Sequence, residues 1–136
     1  MANSINLSLE ENEFQAFGIN TVLKDYQLCS LINEFYTIET RLLNTEALAI
    51  EISVFGDVID DLKVLLVQNQ CTSRKNIFTK LNAFEYVVIV SSSEQEISDI
   101  VKSLEKNDDV LYISKIDAKH LGVKDNKLIS QLFNLI

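Results

Sequence analysis

A chain of 136 residues, 47% hydrophobic and 24% charged, has the length and composition of one globular domain, and its mean hydropathy of +0.11 excludes extended disorder. Twenty acidic against twelve basic residues give a formal charge of −8, which repels phosphate backbones and anionic membrane surfaces, so no nucleic-acid partner is expected. No apolar run approaches the ~20 residues of a membrane-spanning helix, so no membrane insertion is expected either.

Taken in chain order, Ile5, Leu7 and Leu9 alternate with polar residues as in a half-buried strand, and an acidic break follows. Residues 1–13 lack the basic and apolar regions of a secretory leader, which makes the cytoplasm the expected compartment. Phe14, Ala16 and Phe17 lead to Gly18 and Ile19, a short strand or a bend in which Gly18 would relax the backbone. Leu28, Leu31, Ile32 and Phe35 then fall at helical spacing, predicting an amphipathic helix over residues 24–36 with Asn20 or Thr21 as its cap. Residues 37–46 read as a polar loop that tucks Leu42 and Leu43 under an edge.

Leu48, Ile50, Ile52 and Val54 alternate as a strand, Gly56-Asp57 marks a turn, and residues 62–68 return as a hairpin partner. Arg74 and Lys75 sit in the polar loop that follows. The central signal is Val87, Val88, Ile89 and Val90, a β-branched run suited to a strand covered on both faces. Ser93 and Glu96 form a Ser-x-x-Glu capping box for a helix whose stripe is Ile97, Ile100, Val101 and Leu104. Residues 110–116 form the return strand, by a parallel crossover or beside an antiparallel insertion. A last amphipathic helix starts at Asp125 and carries Leu128, Ile129, Leu132, Phe133 and Ile136.

The residues offer little for catalysis. Ser91, Ser92 and Ser93 follow a strand, but no flanking glycine permits a nucleophile elbow, and the lone His120 lacks a partner set. Asp57, Asp60 and Asp61 do not have calcium-loop spacing, and Cys29 and Cys71, both among apolar residues, read as buried thiols. The three glycines are isolated from one another, so no phosphate-binding loop exists. No catalytic residue, metal site or cofactor is expected.

The segment KDYQLCSLIN beginning at Lys24 is similar to the DYxLCxxLN segment of the IPExxxVDY family, small proteins of Bacteroidota. FTKLNAFEY occupies the place of the naming motif, with Phe84, Glu85 and Tyr86 at its Val-Asp-Tyr end and Phe78, Thr79 and Lys80 standing for Ile-Pro-Glu. VLYISKID and KDNKLIS resemble the family's closing pattern. The resemblance implies a cytoplasmic α+β protein and assigns no active site.

The expected fold is a single α+β domain over residues 1–136. A mainly antiparallel sheet of about five strands carries two helices on one face, by analogy with ferredoxin-like and ACT-like domains, and a short C-terminal helix follows. The expected function is a non-enzymatic protein-interaction or adaptor subunit with a protein partner. Candidate docking residues are Leu128, Leu132, Phe133 and Ile136 in the apolar tail, and Arg74 and Lys75 in the basic loop. The alternative is a small-ligand-binding regulatory module of ACT-like type, compatible with a homodimer, whose ligand would sit at a dimeric sheet or on loop 56–61.

Overall fold

The structure, a computed structural model, describes residues 14–48, 53–69, 78, 81, 83–92, 97–117 and 121–136. The strand expected at Ile5 to Leu9, the middle of the one expected at Leu48 to Val54, Cys71, Arg74, Lys75, the Ser93–Glu96 capping box and His120 lie outside the described residues.

Within them, six strands form one antiparallel sheet: β1 (Gln15–Thr21), β2 (Arg41–Leu42), β3 (Val54–Ile59), β4 (Leu62–Gln68), β5 (Tyr86–Ser91) and β6 (Val110–Ile116). Three α-helices accompany it, α1 (Asp25–Tyr36), α2 (Ser98–Glu105) and α3 (Val123–Phe133), with a 3-10 turn at Glu46–Leu48. The strand order is β2-β3-β4-β5-β1-β6. Because β1 is antiparallel to both β5 and β6, those two run parallel with β1 between them, so the α2 connection is a crossover around an inserted strand.

The alternation of side chains on β4 and β5 builds a core on each face. Val64, Leu66, Val88 and Val90 join Phe17 and Ile19 of β1 beneath Leu28 and Ile32 of α1 and Ile100 and Leu104 of α2. On the other face Leu65, Val67, Val87 and Ile89 pack with Ile129 and Leu132 of α3 and with Phe78 and Leu81. The continuous β-branched run is therefore covered on both sides, and α3 makes a third layer.

Three expectations change. Residues 15–21 form a full strand, and Gly18 is needed for close approach, not for bending: a methyl group there would land in the ring of Phe84, and no described glycine has positive φ. Phe84 in turn stacks on Tyr112 of β6, with ring centroids 5.9 Å apart and planes at 8°. With Asn20 and Thr21 committed to β1, α1 begins at Asp25, where Gln27 Oε1 accepts the Lys24 amide at 2.9 Å.

The hairpin also differs from the expected one. Gly56 and Asp57 lie inside β3, and the turn is only Asp60-Asp61, with Asp60 left-handed at φ 52° and Ile59 opposite Leu62. Gly56 is a packing position, since a Cβ there would stand 3.0–3.1 Å from Ile136, Leu65 and Leu43. The sheet has six strands among the described residues because β2 adds a two-residue edge pair to β3 within the stretch expected to be a loop.

Candidate functional site

The apolar stripe of α1 serves two surfaces. Leu28 and Ile32 point down into the sheet and are fully buried, whereas Leu31 is only half-buried and Phe35 is 39% exposed. On α2, Ile100 and Leu104 are buried, while Ser103 on the same side is exposed. Where these edges face each other the helices do not close: a cleft of about 290 Å³ opens, with Leu31, Phe35, Ile100 and Leu104 as apolar lining. Its remaining lining residues are Glu34, Ser103 and Asn107.

The cleft has rigid ends. Asn107 follows α2, where its amide donates to Leu104 O at 3.0 Å and its Oδ1 accepts the Asp109 amide at 2.9 Å. The C-terminus of α1 is held by Asn33, whose Oδ1 accepts both the amide and the hydroxyl of Thr40 at 3.0 and 2.6 Å. Since Thr40 gives its hydroxyl proton to Asn33, the buried Cys29 thiol donates to Thr40 Oγ1 at 2.6 Å. Cys29 is thus a structural thiol. Thr37 turns the chain in a left-handed conformation, φ 55°, and Asp57 Oδ2 accepts the Glu39 amide at 3.1 Å, tying this connection to β3.

Beside this network, burial pushes the Tyr36 phenol up to about 12, and its hydroxyl is buried with no hydrogen-bond partner among the described residues. Tyr86, at the start of β5, is raised first by burial and then by the Asp25 and Glu85 carboxylates.

The docking residues read from the tail sit on the opposite face. Leu132 is fully buried in the second core, and Leu128, Phe133 and Ile136 pack against it, so all four are engaged by the chain's own sheet. In loop 56–61 the first four residues belong to β3, so only Asp60 and Asp61 form the turn. No cluster of three or more metal-ligating side chains occurs among the described residues, and none of their helices is long and apolar enough to cross a membrane.

A polar knot beside the second core is also structural. The fully buried Asn69 donates to Leu81 O and Phe84 O at 2.9 and 3.0 Å and accepts from the Phe78 amide at 2.8 Å. These three bonds tie Phe78, Leu81 and Phe84 to the end of β4. The outer edge of β6 exposes Leu111 and Tyr112, but the register skips Leu111 between Tyr112 and Val110, a bulge that blunts edge pairing together with Lys115.

Sequence reasoning found Leu31 and Phe35 as members of the α1 stripe and missed Glu34, Ser103 and Asn107. The available signal was the position of Leu31 and Phe35 on one flank of that stripe. Compared with known proteins, the chain matches no family model and no curated protein sequence.

Proposed function

We propose that the protein is a non-enzymatic, cytoplasmic protein-interaction subunit that receives its partner in the α1–α2 cleft. The supporting observation is the cleft itself. About 290 Å³ lies open to solvent above apolar side chains of both helices. A concave apolar floor with a polar rim is the form in which an interface accepts a buried anchor. The resemblance to the IPExxxVDY family belongs to this proposal and agrees with it in assigning no active site.

The test is to fill the cleft from its exposed rim. Ser103→Trp should leave the circular dichroism spectrum and the melting temperature unchanged. It should remove the protein that co-elutes at near-stoichiometric yield with the tagged wild type from its native cytoplasm. Recovery of the same partner by the filled variant would overturn the reading.

The cleft volume also favours a second reading, because small-molecule pockets start at about 300 Å³. The order β6-β1-β5-β4, with α1 and α2 as crossovers, resembles the split βαβ arrangement of ferredoxin-like domains, the basis of the ACT-like alternative. A metabolite that raises the melting temperature of wild type but not of Ser103→Trp, together with a dimer in sedimentation, would establish a regulatory module instead.

A further inference from the structure

We infer that the occupant of the α1–α2 cleft is an arginine side chain presented by the partner protein; this rests on the cleft being the partner site and names what enters it. Among the described residues Glu34 is the only charged one lining the cleft, and the chain as a whole carries a formal charge of −8. A carboxylate-bearing anchor is repelled. A wholly apolar anchor covers the floor but leaves the exposed Glu34 carboxylate at the rim without a partner of opposite charge. The occupant therefore combines an apolar body with a cationic, donor-rich end.

Lysine meets the charge requirement as a compact, strongly hydrated ammonium, whereas the cleft offers more than a charge. The methylene stem of an arginine lies along Leu31, Ile100 and Leu104. Its planar fork matches the Glu34 carboxylate with two parallel N–H bonds, and further N–H groups face Ser103 Oγ and Asn107. Asn107 Oδ1 already accepts the Asp109 amide, which fixes the carboxamide and leaves the second lone pair for the guanidinium. Phe35, 39% exposed at the same rim, supplies an aromatic surface for the flat guanidinium.

The experiment titrates the full-length, ¹⁵N-labelled protein with the N-acetyl amides of arginine, lysine, norleucine and glutamate at millimolar concentration. Arginine amide should shift the backbone amides of Leu31, Phe35, Ser103 and Asn107 and bind more tightly than lysine amide. Glu34→Gln, an exposed position whose spectrum reports whether the fold is kept, should weaken arginine binding about three- to fivefold. If norleucine amide shifts the same residues as strongly as arginine, and Glu34→Gln changes nothing, the arginine assignment falls while the cleft stands as a docking site. If no probe moves the cleft amides, both fall.

Discussion

Among the described residues the two faces of the sheet are covered in different ways: two helices with a cleft between them on one, a single helix on the other. The second face has one helix, α3, yet Phe78, Ile129 and Leu132 are sealed from solvent. The first face has α1 and α2, and a cleft remains between them. The difference lies in what meets at the seams. At the second face small positions let bulky groups come close: Phe84 covers Gly18, and Ile136 and Leu43 reach Gly56. At the first, the facing edges of α1 and α2 carry Glu34 and Ser103, neither of which fills a core. How closely two covering elements meet depends on the side chains at their seam.

The largest effects should come from the second face. Leu132→Ala removes a fully buried side chain from a sealed core and is expected to cost about 3–4 kcal/mol by urea unfolding, against about 2 kcal/mol for Leu104→Ala beside the cleft. Equal costs would show that the cleft is as tightly packed as the second core. Next is Gly18→Ala, whose new methyl must displace Phe84 from β1 and from its stack on Tyr112. We expect about 2 kcal/mol of destabilisation, and most of it should vanish in the Phe84→Ala background. Additive costs would mean that the ring can move aside at no expense.

Smaller effects, of opposite sign, belong to the first face. Thr37 is a β-branched residue held at φ 55°, so Thr37→Gly should stabilise by about 1 kcal/mol, read as a shift in the urea midpoint at unchanged slope. Tyr36→Phe deletes a buried hydroxyl without a partner among the described residues and should be neutral or slightly stabilising at neutral pH. Its pH signature is the sharper test. The folded phenol is raised from 10.0 to about 12, so the stability of the neutral form is fully present below pH 10.0 and is lost as pH rises toward about 12. That alkaline loss should be shallower in Tyr36→Phe. Identical pH profiles would place the Tyr36 hydroxyl in water.

Strands and helices with strong periodicity were legible. The run from Val87 to Val90 predicts a strand buried on both faces, and both cores claim it. The α1 stripe predicts a helix that begins within one residue of the observed start. Gln15–Thr21 was ambiguous because its second-face positions are small, Ala16 and Gly18, and so lack the bulk that marks a strand. The turn at Gly56-Asp57 was a misreading of a glycine that serves packing. The cleft was not legible, since a gap between two helices depends on how far apart the sheet holds them and leaves no trace in the period of either one.

By itself, the sequence determined an acidic α+β chain, the type of most described elements and the apolar stripes that require burial, because backbone hydrogen bonding and side-chain periodicity act over a few residues. Only the tertiary structure decided the placement of β1 between β5 and β6, the seating of Phe84 on a glycine 66 positions earlier, and the opening between α1 and α2. Each depends on the shape of surfaces brought together from distant parts of the chain, and periodicity along the chain carries no record of which surfaces meet.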